Sequence, residues 1–419
     1  SIELAARLAR VESRNITAAS PPPIFWTDAV GAAVRDADGN TYVDLTAGFG
    51  VAHAGHANPA VVGAIAAQSA RLAHGLGDVH PPEPKVRLLE RLADITPGDL
   101  GVSILAGSGA EAVEAALKTA VMRTGRPGII AFEHAYHGLT YGALAATWRA
   151  DFRAPFHRQL FNGVRHVRFP DASVPGSGRE AIAAVRRALV EAEHTETPIG
   201  AVLIEPILGR GGLRVPPAAF LSELRALCDG DSTLLIFDEV YTGCGRTGRW
   251  FACDYEATVP DVLVIGKALS GSIGLGAAVG TPDAMSGWPA STGEAIHTST
   301  FLGNPVACAA ALAQLDQIEQ CGLLERSTRL GARIQKRART WQRHGVGEVR
   351  GRGLIQGVPI SGTGRALRIA DACLRHGVLI LAEGSDAEVL AITPPAVITD
   401  AQLDAALDVI EHAIRAGNP

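Results

Sequence analysis

The sequence has little with which to staple itself or hold a metal. Its six cysteines lie scattered at 228, 244, 253, 308, 321 and 373 without a CxxC pair, and neither HExxH nor an EF-hand spacing occurs. Reduced thiols and no metal site are therefore expected. Basic runs are also missing, and a formal net charge of −5 leaves no electrostatic footprint for nucleic acid. No apolar run approaches the roughly 20 residues needed to cross a bilayer, so no membrane partner is expected. The first residues, SIELAARLARVESRNI, carry acids and arginines where a secretory signal would have an apolar core, which leads to the expectation of a cytoplasmic protein. Internal repeats and low-complexity tracts are absent too. What is present, 47% hydrophobic and 19% charged residues in a chain of 419, suffices for one large core and a second domain, and excludes disordered and fibrous classes.

The pattern along the chain is that of an α/β protein. AAVRDADGNTYVDLTAG reads as a hairpin, with Asp38-Gly39-Asn40 turning between two strand-like runs. The apolar runs VSILAG, GIIAFE, AVLIEP, LLIFDEV and DVLVIG then alternate with helical patterns, such as Val113, Leu117 and Val121 at intervals of four. Near-continuous apolarity predicts strands buried on both faces of a mostly parallel sheet, whose ligands gather at the C-terminal strand ends. Those ends read Gly107, Glu133, Glu205, Asp238 and Lys267. From about residue 306 the pattern changes to a long helix, short strands in GLIQGV and GVLILA, and a closing helix carrying Leu403, Leu407, Ile410 and Ile414, which suggests a smaller α+β domain.

Three of these strand ends carry chemistry. In ILAGSGAEAVEAALKTA, Gly107-Ser108-Gly109 stands between a strand and a helix, where bare amides, a hydroxyl and the helix dipole favour an anion such as phosphate. The same stretch fits GxGxxA, and Glu133 follows Gly109 by 24 residues, so a nicotinamide-dependent dehydrogenase is one reading. It explains neither Asp238 nor Lys267. A P-loop fails outright, since it would need a glycine at Asp261 and a hydroxyl at Ala268. Pyridoxal phosphate needs a lysine for its aldehyde, a carboxylate to keep its ring nitrogen protonated and an anion cradle for its phosphate. Lys267, Asp238 and Ser108-Gly109 match those needs. Taken singly, each has a plainer reading: a lysine wet at a strand end, an aspartate in a structural ion pair, a helix cap.

The motifs GSGAEAVEAALKTA, AYHG, IEP, FDEVYTGCGRTG, GKALSG and TSTFLGNP, in this order from about residue 24 to 414, resemble the class III aminotransferases, fold-type I pyridoxal-phosphate enzymes that include ornithine and 4-aminobutyrate aminotransferases. The resemblance implies an α/β fold with a large, mostly parallel sheet covered by helices and a smaller α+β domain. Residues 1–45 would contribute to the small domain, 46–305 would form the cofactor-binding domain and 306–419 the rest of the small one. It further implies that Ser108, Gly109 and Ala110 bind phosphate, that Tyr136 stacks on the pyridine ring, that Asp238 holds the ring nitrogen and that Val240 packs on the other ring face. Glu205 would support the active-site hydrogen bonds, with His137 as a further donor or a packed histidine. Lys267 would hold the cofactor as an imine and shuttle the proton during transfer. Thr300 would reach the phosphate of a neighbouring subunit, which requires a homodimer with shared active sites. The implied activity is exchange of an amino group between an amine or amino acid and a keto acid by a ping-pong mechanism. Amino-acid racemases of the same family are the alternative.

The chain departs from the family at three places. Where many members have a glutamine after DEV, it has Tyr241, whose hydroxyl either substitutes or points elsewhere. Members that use 2-oxoglutarate pair a glutamate in GEGG with an arginine three residues before a PP pair; here these positions hold Arg210 in GRGG and Ala391 in LAITPP. Carboxylate recognition has either moved to Arg210 or been abandoned. Phe49, where ornithine-type relatives carry a pocket tyrosine, is read as a substrate-pocket residue or a core phenylalanine.

Overall fold

The computed structural model describes residues 1–18 and 23–416, so the expected segments 1–45 and 306–419 are described except at 19–22 and 417–419. The hairpin forms where Asp38-Gly39-Asn40 predicts it. Strands Trp26–Val30 (β1), Ala33–Asp36 (β2) and Thr41–Asp44 (β3) run antiparallel, and buried Asp36 accepts bonds from the Asp38 and Asn40 amides to close the turn. This is an Asx-type turn in which a carboxylate replaces a backbone acceptor.

The central sheet comprises Val102–Ala106 (β4), Gly128–Phe132 (β5), Val164–Val167 (β6), Ile199–Ile204 (β7), Leu234–Asp238 (β8), Val262–Ile265 (β9) and Gly276–Gly280 (β10), in the order β4-β10-β9-β8-β7-β5-β6. All pairings are parallel except those of β10, which is antiparallel to both β4 and β9. Strands β5, β7, β8, β9 and β10 are buried throughout. Successive residues point to opposite faces. Val202, Ile204, Leu235, Phe237, Leu263 and Ile265 therefore join one core, while Ala201, Leu203, Leu234, Ile236, Val262 and Val264 join the other.

The second core is closed by the helix Gly109–Thr124. Ser108 caps it by accepting a bond from the Glu111 amide, and Gly125 ends it at φ 68°. Its buried face is built mainly of Ala112, Val113, Ala115, Ala116, Leu117 and Ala120. Val121 is exposed instead of core, because steps of four drift off a 3.6-residue period after two turns. Asn58-Pro59 and Asn304-Pro305 open two further helices, each asparagine accepting from two free amides while the proline supplies a preset φ.

The long helix expected after 306 is two helices, Pro305–Gln320 and Leu323–Ala338, broken at Gly322 with φ 60°. Strands Arg350–Arg352 (β11), Ile355–Pro359 (β12), Val378–Leu379 (β13), Leu381–Glu383 (β14) and Val389–Ile392 (β15) follow. The expected strand GVLILA is thus split: β13 adds in parallel to β3, while β14 joins the antiparallel sheet β11-β12-β15-β14. The closing helix Asp400–Ala416 buries Leu403, Leu407, Ile410 and Ile414 as predicted.

One buried arginine ties the layers together. Arg246 has no exposed surface and donates to the carbonyls of Gly50, Leu354, Thr393 and Pro394. Burial lowers its pKa to about 10, so it still carries its charge at neutral pH. Among the described residues no helix is long and apolar enough to cross a membrane, and all six cysteines are free.

Candidate active site

A cavity of about 270 Å³ opens at the C-terminal ends of β7, β8 and β9 and the start of the helix Gly109–Thr124. It is lined by Gly109, Ala110, Tyr136, His137, Gly138, Leu139, Glu205, Arg210, Asp238, Val240, Tyr241 and Lys267. Lys267 comes directly after β9 through Gly266, in a backbone conformation with φ 43°. Lysine rarely adopts that region, and such residues cluster at functional sites. Its Nζ lies 4.1 Å from the centre of the Tyr241 ring. Burial lowers its pKa, against the nearby charges of Asp238, Glu205 and Glu383, while Arg210 adds to the lowering. Burial thereby shifts the balance toward the free amine relative to an exposed lysine.

Asp238, the last residue of β8, is almost fully buried. Its Oδ1 accepts from the Val240 amide at 3.0 Å, and its Oδ2 lies 2.7 Å from His137 Nδ1. The other ring nitrogen of His137, Nε2, is buried without a partner among the described residues. His137 is therefore placed to orient Asp238. Glu205 ends the β7 run and accepts from the amides of Tyr136 at 2.8 Å and Gly209 at 2.9 Å. Burial raises its pKa to about 7, even with His137 beside it.

The opposite wall is cationic and aromatic. The Arg210 guanidinium lies 4.6 Å over the Tyr136 ring, and its Nε is 3.9 Å from Glu383 Oε2. Tyr136 also meets Phe152 edge-on at 6.1 Å. Tyr241 turns its ring toward Lys267 and its hydroxyl toward Thr393, 3.4 Å from the Oγ1, and burial raises its pKa to about 12.

Gly109 shows why a bare residue stands at the helix start: a Cβ there would come within 2.8 Å of Val240. Val240 thus packs directly on the backbone that opens the helix.

Three expected residues lie elsewhere. Ser108 is the helix cap described above and is not part of the cavity wall. Thr300 is exposed and lies outside this cavity. Phe49 is 65% exposed with φ 60°, which corrects the expectation of a core phenylalanine, and it does not line the cavity. Its neighbour Gly50 approaches the site closely, since a Cβ there would meet the Tyr241 ring at 2.6 Å and Lys267 Cδ at 3.7 Å. Glu133, the acid of the dehydrogenase reading, is also outside the cavity. Glu383 escaped sequence reasoning, although it ends an apolar run as Asp238 and Glu205 do.

Residues 16–414 match the family Aminotransferase class-III. The chain belongs to the class III aminotransferases. Acetylornithine aminotransferase of Methanosarcina mazei is 40% identical over 391 residues, covering 93% of this chain and 92% of that protein. A 4-aminobutyrate aminotransferase of Mycobacterium leprae is 35% identical over 99% of this chain and 95% of its own length. Among solved structures, an ornithine aminotransferase from Toxoplasma gondii aligns with a TM-score of 0.88 at 28% identity, over 99% of this chain and 95% of that one. An (S)-enantioselective omega-transaminase from Thermomicrobium roseum reaches 0.92 at 27% identity, over 100% and 99%. These relatives are named as aminotransferases, and the racemase and dehydrogenase alternatives find no support in them.

This aminotransferase depends on pyridoxal phosphate and moves an amino group between an amino compound and a keto acid. The cavity residues fit that group. A buried carboxylate, a lysine with a lowered pKa and helix-start amides without intrahelical acceptors face one space, with an unpartnered histidine nitrogen behind the carboxylate.

Proposed function

We propose that this aminotransferase acts as a homodimer by a ping-pong mechanism, with Lys267 as its reactive amine, Asp238 as its ring-nitrogen partner and Arg210 as its carboxylate ligand. The convergence of Lys267, Asp238 and Arg210 on one cavity carries the reading. Bound there, pyridoxal phosphate supplies an aldehyde that accepts an amino group and a protonated ring that withdraws electrons. Asp238, held by the Val240 amide and His137, keeps the ring nitrogen protonated through a charge-assisted bond. Gly109 and Ala110 offer amides to the phosphate, and Ser108 adds a hydroxyl at the same helix start. Tyr136 and Val240, both on the cavity wall, would flank the ring, and Glu205 holds the Tyr136 backbone by accepting from its amide. Lys267 Nζ, uncharged at lower pH than an exposed lysine, takes the proton from the substrate carbon that bears nitrogen and returns it during transfer.

The amino donor is proposed to be an amino acid with a carboxylate at Arg210, in line with relatives named for acetylornithine and 4-aminobutyrate. Arg210→Ala is expected to raise KM for carboxylate substrates by about 1.5–3 kcal/mol, the range for a hydrogen bond to a charged group. The lower end applies, because the side chain is 38% exposed. An amine lacking a carboxylate should be affected far less in its own half-reaction. Equal kinetics of variant and wild type with every carboxylate substrate would leave acceptor recognition to other residues.

The dimer is supported by apolar surface around Thr300. The segments near residues 74–79 and 298–302 touch, through the edge-on His74–Phe301 contact and the Thr298–Asp78 hydrogen bond, and there Leu76, Val79 and Phe301 are exposed. Covering such a patch with a second copy removes it from water. Thr300→Ala is expected to weaken cofactor retention and dimer association together, each by about 1–3 kcal/mol. Cofactor titration and sedimentation measure the two. A crystal structure with Thr300 beside the phosphate of its own chain would remove the cross-subunit role.

A further inference from the structure

The buried Lys267 amine has an aromatic ring for a neighbour. Among the described residues its Nζ has no hydrogen-bond or ion-pair partner, and it lies over the Tyr241 ring, 4.1 Å from the centroid. The negative face of such a ring attracts an ammonium at that distance and offers a free amine little. Charged groups also act on the amine without pairing with it: Asp238 at the end of β8, Glu205 after β7 and Glu383 at the end of β14 favour its charge, and Arg210 opposes it. Arg210 and Arg246 are the cations that act on Tyr241 itself. The ring is fixed from three sides. A Cβ on Gly209 would come within 2.4 Å of its Cδ1 edge and a Cβ on Gly50 within 2.6 Å of its Cε2 edge, so the tyrosine fills a slot cut by two glycines. Glu205 accepts from the Gly209 amide, and Arg246 donates to the Gly50 carbonyl. The Tyr241 hydroxyl donates to Thr393 Oγ1, which reaches the carbonyls of Leu45 and Thr46.

Burial by itself drives a lysine toward the free amine. An amine that takes a proton from the substrate and later returns it works best when neither of its forms is strongly favoured. Resting on the reading of Lys267 as the reactive amine, we propose that Tyr241 is a positioning residue whose ring face holds that amine and stabilises the ammonium formed when it takes the proton. The ring supplies this effect, and the hydroxyl serves only to anchor the ring at Thr393. Tyr241 thus offsets part of the burial that the cavity imposes on Lys267 and keeps the amine able to carry a proton.

The test uses the purified full chain, freed of cofactor and then given pyridoxal phosphate over a range of pH. Uptake is followed by visible absorbance; its rate rises with pH as the Lys267 amine loses its proton, so differences in midpoint between variants report the proton affinity of that amine. Tyr241 is replaced by phenylalanine and by its 4-fluoro, 3,5-difluoro and 3,4,5-trifluoro derivatives, which keep the shape of the ring while successive fluorines drain the negative charge from its face. Tyr241→Phe, which loses only the hydroxyl, should keep the wild-type midpoint. Along the fluorinated series the midpoint should fall stepwise, by about 0.4–1.5 pH units in total, the range for a contact between a cation and a ring. The sign follows from the form that loses support: with the ammonium less stabilised, the amine gives up its proton at lower pH. The melting temperature controls for folding, and a ring kept only for packing would leave the midpoint constant across the series. A midpoint that stays constant or rises with fluorination, while borohydride still fixes the cofactor on Lys267, would overturn the role of Tyr241 alone. Reduced cofactor on a different lysine would overturn the reading of Lys267 as well.

Discussion

Lys267→Ala is expected to abolish turnover and to leave no borohydride-reducible link between cofactor and protein, while the chain still folds. Among the described residues no other lysine lines the cavity. In the proposed roles the amine is needed twice, as the group that anchors the cofactor and as the base that moves the proton, so one substitution would remove both contributions. Loss of general-base action alone is worth about 10²–10⁴-fold in rate. The lowered pKa bears on the second role: burial favours the uncharged amine, and only that form accepts a proton. Added methylamine should restore a fraction of the proton transfer in the variant, because a small amine fits where the side chain was removed. Single-turnover absorbance measurements and peptide mapping after borohydride reduction read the two roles separately. Recovery of a reduced cofactor on any lysine of the variant would refute the anchoring role of Lys267.

Asp238→Asn is expected to bind cofactor and lose activity by roughly 10²–10³-fold, the range for removing one preorganised electrostatic contact. The amide keeps the shape of the side chain. Its oxygen can still accept from the Val240 amide, and its nitrogen can face His137 if that ring presents a lone pair at Nδ1. What disappears is the negative charge, and with it the means of holding a proton on the ring nitrogen. The loss should therefore appear in the rate of each half-reaction more than in cofactor affinity. Stopped-flow half-reactions at near wild-type rates would show that Asp238 is not the ring-nitrogen partner.

Several features of this site were legible because they are local. Asp238 and Lys267 each follow an unbroken apolar run, and a charged residue at the end of a strand buried on both faces must sit at the sheet's edge. Ser108-Gly109 lies between a strand and a capped helix, a pattern contained within a few residues. Strands β6 and β10 were missed for opposite reasons. VRHV sets two adjacent polar residues between two valines, a pattern with no apolar run that an edge strand tolerates, while GAAVG resembles a turn by composition. The small residues of β10 are explained by packing: a Cβ on Gly276 would come within 2.4 Å of the Ser108 carbonyl oxygen.

By itself, the sequence determined the strand-helix alternation, the family and the acid, amine and helix start that meet at the cavity, since hydrophobic period and strand-end chemistry are written in consecutive residues. Tertiary structure alone decided which partner Arg210 would have. Ala391 and Arg210 suggested a lost pair, but the split of GVLILA into β13 and β14 sends one half to β3 and the other to β15, and so carries Glu383 to within 3.9 Å of Arg210. The same holds for Tyr241, whose direction is set by Gly50, Gly209 and Thr393 packing around its ring. Charge pairs and ring orientations depend on segments distant in sequence that meet only when the sheets assemble, and no local period encodes which of them will be neighbours.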